Sequence, residues 1–149
     1  MECNRFYYRP KTATNYAAFH YHGQTQPVIL AFSSNLIYKD GVIFFNGNAR
    51  ANYSRWCKSA RGALSFLWEC IFHEDPYYLD TIENLTLTTK YQISPEDLKR
   101  YEQAEFLHPG PLSVEKIDKV YFRNQQDLLL AYKELGHDER FEVKPEYFF

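Results

Sequence analysis

Residues 99–112, Lys-Arg-Tyr-Glu-Gln-Ala-Glu-Phe-Leu-His-Pro-Gly-Pro-Leu, restrict the fold more than any other stretch. A polar segment, residues 94–100, runs into Tyr101-Glu102-Gln103-Ala104-Glu105, and the apolar pair Phe106 and Leu107 follows. His108-Pro109-Gly110-Pro111 then stops any regular element, because proline lacks a backbone donor and glycine favours turns. One short strand fits in the gap, with Phe106 and Leu107 in the core and Glu105 at its mouth. A carboxylate anchored in this way has a defined position and partly dry surroundings. Those are the conditions for orienting a substrate hydroxyl or stabilising a developing cation. Glu105 also reads as an ordinary surface carboxylate on a strand edge, and local chemistry leaves both readings open.

Upstream, residues 5–8 form a short aromatic strand and residues 10–14 turn the chain. Residues 15–22 suit a short helix bearing Tyr16, Phe19 and Tyr21. His20 and His22 would share a face on a strand, but no carboxylate or Cys lies near them in sequence. They read as surface histidines, with no metal site expected. Val28-Ile29-Leu30-Ala31-Phe32 is a continuous apolar run, the pattern of a central strand covered on both faces. Lys39-Asp40-Gly41 signals a turn, and residues 42–45 read as a second buried strand. It ends in Asn46-Gly47-Asn48, which suits either a polar ligand contact or a plain turn with an Asn N-cap. Residues 49–58 read as helical. Arg50, Arg55, Lys58 and Arg61, interleaved with Tyr53 and Trp56, have the composition of a phosphate-and-base surface or of a solvated helix face.

Residues 73–91 show no strong periodicity. Ser94 caps a helix over residues 94–100, with Pro95 at its first position and Asp97 three residues beyond the cap. Residues 117–122 alternate as a strand. Asn124 caps a helix over residues 125–135, and Gly136 stops it. Residues 141–143 and 147–149 form a last strand interrupted by Pro145. The strands at 28–32, 42–45, 105–107 and 117–122 are expected to share one core.

The chain has 149 residues and 45% hydrophobic content, which suits one domain with a core. Thirteen Tyr and twelve Phe supply large rings for packing or for stacking on bases. A net charge of −2 argues against a protein that coats nucleic acid, yet leaves room for a local basic site. Cys3, Cys57 and Cys70 match no zinc spacing and read as free thiols. No apolar N-terminal run resembles a signal peptide and no stretch is long enough to span a bilayer, so a cytoplasmic location without membrane contact is expected.

Gln103-Ala104-Glu105-Phe106-Leu107 resembles the catalytic strand of the DarT family, bacterial toxins that transfer ADP-ribose from NAD to bases in single-stranded DNA. Three further stretches resemble the family in the same order. Arg5-Phe6-Tyr7-Tyr8-Arg9-Pro10 through Tyr16 is similar to its aromatic strand and Pro-containing turn. Val42 through Asn46-Gly47-Asn48-Ala49 is similar to its strand ending in a Gly-Asn-Ala turn. Residues 117–149 are similar to its strand, helix and aromatic-ended last strand. The resemblance implies an α+β, ADP-ribosyltransferase-like fold of two facing, mostly antiparallel sheets with flanking helices, spanning residues 1–149. It implies NAD as a substrate, no metal, single-stranded DNA as the acceptor and a macrodomain antitoxin as a partner.

By the same resemblance Glu105 is the catalytic carboxylate, and Arg5, Tyr8, Arg9 and Tyr16 contact NAD. Asn46, Asn48, Arg50, Arg55, Lys99, Arg100, Tyr101 and Gln103 face DNA. The family's first strand and helix carry an NAD-gripping His and a catalytic Arg, and this chain starts almost at the aromatic strand. That departure supports a second reading, a catalytically inactive relative that binds nucleic acid, nucleotide or a partner protein. A metal-dependent nuclease has only His20 and His22 behind it.

Overall fold

The short apolar runs between turn signals do become strands, but they divide between two sheets. The computed structural model describes residues 3–12, 16–17, 26–73 and 81–148. They group into two compact units. Residues 1–12 and 37–110 make the first, and residues 13–36 and 111–149 make the second.

The first unit carries a four-stranded sheet in the order β1-β5-β3-β4. Its strands are β1 (Cys3–Tyr7), β3 (Ile43–Phe45), β4 (Trp56–Cys57) and β5 (Glu105–Pro109), all paired antiparallel. Register decides the faces, since side chains alternate along a strand. Phe6, Phe106 and Phe44 lie in one cross-strand row. Phe6 and Phe106 stack with centroids 4.9 Å apart, and Phe44 lies 6.4 Å from Phe106. His108 is on the same face, two residues along β5, and is buried. The opposite face carries the row Tyr7, Glu105, Phe45, Trp56.

Among the described residues this unit also has the helices α1 (Ala60–Ala63), α2 (Trp68–Ile71), α3 (Ile82–Tyr91) and α4 (Pro95–Tyr101). The capping expected for α4 is present, as Ser94 Oγ accepts the Asp97 N–H at 3.0 Å with Pro95 at the first turn. Its apolar side sends Leu98 into a cluster with Cys70 and Leu87, against which Leu67, Tyr91, Ile93 and Tyr101 pack.

Helix α3 was not foreseen. Only Asn84 and Leu87 of it are buried, while Ile82 and Leu85 are exposed, so no apolar stripe marks it. Thr81 caps it by accepting the Asn84 N–H, and Gln92 ends it in the left-handed region at φ 53°. The helix expected over residues 49–58 does not form. Residues 46–55 are a loop closed by Asn46, and β4 follows. Trp68 is half-buried, edge-on to Tyr8 at 5.1 Å and stacked on Phe72 at 5.8 Å.

The second unit has a three-stranded sheet, β2 (Val28–Phe32), β6 (Ile117–Phe122) and β7 (Phe141–Val143), in the order β2-β6-β7. The pairing of β2 with β6 is antiparallel, with an irregularity between Ala31 and Phe32. The pairing of β6 with β7 is parallel, which needs a crossover, and α5 (Gln125–Leu135) supplies it. Asn124 accepts the Asp127 N–H at 2.9 Å and Gly136, at φ 85°, ends the helix, as the sequence predicts. Residues 145–147 form a 3-10 turn rather than continuing β7.

One strand expectation is corrected here. The run Val28–Phe32 is an edge strand, not a central one, with Val28 48% and Leu30 45% exposed. An apolar run alone does not distinguish two covered faces from one. The four strands expected to share a core fall in two sheets, β3 and β5 in one and β2 and β6 in the other. Residues 18–22, with His20 and His22, lie outside the described residues, as do residues 74–80. The α+β class with two sheets is as expected.

Candidate active site around Glu105

Glu105 opens β5 and is fully buried. Helix α4 delivers it. The helix ends at Tyr101, the turn through Glu102 is closed by Gln103 N–H to Arg100 O and Ala104 N–H to Tyr101 O, and β5 begins at once. Phe106 then pins the strand into the aromatic row. The position of Glu105 therefore follows from two packed elements on either side of it.

Two groups hold the carboxylate. The Ala49 N–H, in the loop between β3 and β4, donates to Oε1. Arg5 Nε stands 2.9 Å from Oε2 as an ion pair, although Oε2 has no aligned hydrogen bond. Register explains the pair. Arg5 lies opposite Leu107, diagonal to Glu105 on the same face, a spacing a long side chain spans. Burial raises the pKa of Glu105, while the Ala49 N–H, Arg5 and Arg50 oppose that rise in decreasing order.

The loop that offers Ala49 is itself braced. Asn46 Oδ1 accepts the Arg55 N–H at 2.8 Å, and the Asn46 N–H reaches Arg55 O at 3.1 Å. Asn48 Oδ1 accepts the Arg50 N–H at 2.9 Å, and its amide nitrogen reaches Gln103 Oε1 at 3.5 Å. Ser54 Oγ donates to Asn48 O at 2.7 Å. A Cβ on Gly47 would meet Ser54 Oγ at 2.7 Å and Tyr53 Cε2 at 3.2 Å, so glycine permits this close approach.

The structure thus gathers Arg5, Asn48, Gln103 and Glu105 around one turn. Asn46 closes the loop through its own amide. Arg50, Arg55 and Lys99 are exposed. Arg100 pairs with Asp97 at 2.7 Å and lies over the Tyr53 ring at 4.6 Å. Tyr101 is half-buried against the α4 cluster, and burial raises its pKa. Tyr8 packs on Trp68 and Phe106, and its buried hydroxyl has no hydrogen-bond partner among the described residues; burial, then Cys57 and Glu105, raise its pKa. Arg9 donates to Ile71 O at 3.3 Å, and Tyr16 belongs to the second unit.

Two members of the site escaped sequence reasoning. Ala49 contributes only its backbone N–H, which no side-chain pattern reveals. Glu102 is fully buried, with neither carboxyl oxygen hydrogen-bonded among the described residues, and burial outweighs Lys99 and Arg9 to raise its pKa to about 7. Its only signal is the Glu-x-x-Glu spacing to Glu105.

This arrangement can hold an anion beside a reacting centre. Among the described residues no group of three His, Cys, Asp or Glu is placed to hold a metal ion, and no helix is long and apolar enough to cross a membrane.

Solved structures share this fold. The chain is similar to Thermus sp. 2.9 DarT in complex with NAD+, at 18% identity and TM-score 0.72, over 99% of this chain and 72% of that one. It is similar to the same protein in complex with ADP-ribosylated ssDNA, at 18% identity and TM-score 0.73, over 99% and 68%. Thermosipho africanus DarTG in complex with ADP-ribose matches at 16% identity and TM-score 0.65, over 99% of this chain and 36% of that one. No curated protein matches. A family model described as ssDNA thymidine ADP-ribosyltransferase, DarT, matches residues 1–149, and the chain therefore belongs to the DarT family.

Proposed function

We propose that this chain transfers ADP-ribose from NAD to a base of single-stranded DNA, with Glu105 as the catalytic carboxylate. The observation that carries the reading is the setting of Glu105, a fully buried carboxyl with Oε1 fixed by the Ala49 N–H and Oε2 facing Arg5 without an aligned hydrogen bond. In the transfer, the bond between ribose C1′ and the nicotinamide nitrogen breaks, and its electron pair leaves with nicotinamide. C1′ bonds to a ring nitrogen of the base, whose proton passes to solvent. Positive charge builds on the ribose between these events. A fixed anion gains more from that charge than from the ground state, so it lowers the barrier. Oε2 retains the capacity to accept a ribose hydroxyl, which would set the sugar against the carboxylate.

Arg5 has a role in this reading besides contact with NAD, since its charge opposes the effect of burial on the Glu105 carboxyl and orients it. Arg9 and Tyr8 remain the NAD contacts of the first unit. Arg50, Arg55, Lys99 and Arg100 present charge for phosphates, and Asn48 and Gln103 present amides near the reacting base. A macrodomain, a fold that removes ADP-ribose, is the proposed protein partner, and the cytoplasm the proposed compartment.

The test is single-turnover transfer from labelled NAD to short thymidine-containing oligonucleotides, with melting temperature as the folding control. Glu105→Gln keeps size and shape but removes the anion. The rate is expected to fall by about two to four powers of ten, with NAD and oligonucleotide binding little changed. Robust wild-type transfer with an unimpaired Gln variant would remove Glu105 from the reaction. No transfer by the wild type, nor by a chain extended upstream of Met1, would leave a binding module.

A further inference from the structure

We propose that Trp56, backed by Lys58, is a stacking site for a nucleotide within a few positions of the one that reacts; this rests on the reading of single-stranded DNA as the acceptor. Trp56 is 58% exposed, whereas the only other tryptophan, Trp68, is packed among Tyr8, Phe66 and Phe72. A single exposed ring needs no explanation by itself. Its surroundings give it one.

Register places Trp56 in the same cross-strand row as Glu105, with Phe45 between them. Two strand spacings, about 10 Å, separate the backbones of Trp56 and Glu105. Stacked bases rise by only about 3.4 Å per step along a strand. Three stacked steps span that distance and a strand splayed open covers it in fewer, so a base lying on Trp56 is within about three nucleotides of the base at Glu105.

The chemistry around the ring suits a polyanion. Between Asp40 and Glu69 the chain has four cations, Arg50, Arg55, Lys58 and Arg61, and no carboxylate. None of the four is in an ion pair among the described residues, although Lys90, Arg100, Lys119, Arg140 and Lys144 all are. Lys58 Nζ lies 5.9 Å from the Trp56 ring centroid, a cation–π distance that leaves the ammonium available to a phosphate. Tyr53, 45% exposed, stands under Arg100 at 4.6 Å and repeats the pairing of ring and cation at the other end of the loop. Base–aromatic stacking beside a cationic track is how proteins hold single strands without reading sequence.

The experiment compares oligonucleotide affinity of the wild type, Trp56→Phe and Trp56→Ala. It uses an intact thymidine-containing oligonucleotide and versions with a single abasic position one, two or three nucleotides to either side of the target. Trp56→Ala is expected to weaken binding by about 5- to 150-fold, the fold-change equivalent of about 1–3 kcal/mol per stacked base. Trp56→Phe should retain most of the affinity. One abasic position should reproduce the loss in the wild type, and Trp56→Ala should add nothing further there. Affinity for NAD should stay unchanged. Equal binding by Trp56→Ala and wild type would overturn the inference alone. So would a loss that ignores every abasic position, or one that falls on NAD instead. Failure of the wild type to bind any oligonucleotide would overturn this inference and the acceptor reading together.

Discussion

Replacing Glu102 with Gln removes a buried charge whose effect grows with pH. Glu102 is fully buried, neither carboxyl oxygen has a hydrogen-bond partner among the described residues, and Lys99 and Arg9 offset only part of the desolvation. Its pKa rises from 4.5 to about 7 in the folded chain. Between those values the native state holds a proton that the unfolded state has released. Stability must then fall as pH rises, because the slope follows the difference in bound protons between unfolded and native states. Above pH 7 the native carboxyl ionises and the full penalty is reached, about 3 kcal/mol from the size of the shift. That is a large share of the roughly 5–15 kcal/mol that holds a domain together.

Glu102→Gln is close in size to the protonated acid and does not ionise. Urea unfolding of wild type and variant between pH 4.5 and 8.5 should give similar midpoints at the acid end. Toward pH 8 the variant should become the more stable, by as much as about 3 kcal/mol. Parallel curves for the two proteins over that range would refute the placement of Glu102 as a buried, unsatisfied acid. A variant less stable than wild type at pH 8 would refute it as well, since that result requires an ion pair or hydrogen bond to the carboxylate.

Gly47→Ala adds a Cβ that would meet Ser54 Oγ and Tyr53 Cε2. The loop must shift, and with it the Ala49 N–H, so transfer activity is expected to fall by about tenfold or more while melting changes little, measured by single-turnover transfer and calorimetry. Phe44→Asp puts a charge at a position 3% exposed in the aromatic row, and a cost above about 4 kcal/mol should abolish cooperative unfolding; a soluble, cooperatively melting variant would contradict the register of β3 against β5.

Where a local rule is strong, the sequence alone determined the structure. Ser94-Pro95 and Asn124 announce helix starts, and Gly136 a helix end, because a cap is settled by a few neighbouring atoms. The break predicted from His108 onward comes two residues later, since β5 runs through His108 and Pro109 and stops at Gly110, and the family resemblance around Glu105 points to a carboxylate at that strand's mouth. Tertiary structure decided the rest. Residues 49–58 have helix-compatible composition, but the bonds of Asn46 to Arg55 and the pairing of Trp56 with Phe45 draw them into a loop and a strand. Whether Val28–Phe32 is an edge or a centre depends on what pairs beside it, which its own residues do not encode. The site shows the same division. Glu105 is legible as a residue, but the Ala49 N–H, the diagonal reach of Arg5 and the burial of Glu102 exist only once strands far apart in sequence are brought into register. Hydrogen bonds to backbone and the loss of solvent around a carboxyl are properties of that assembly, and no local pattern carries them.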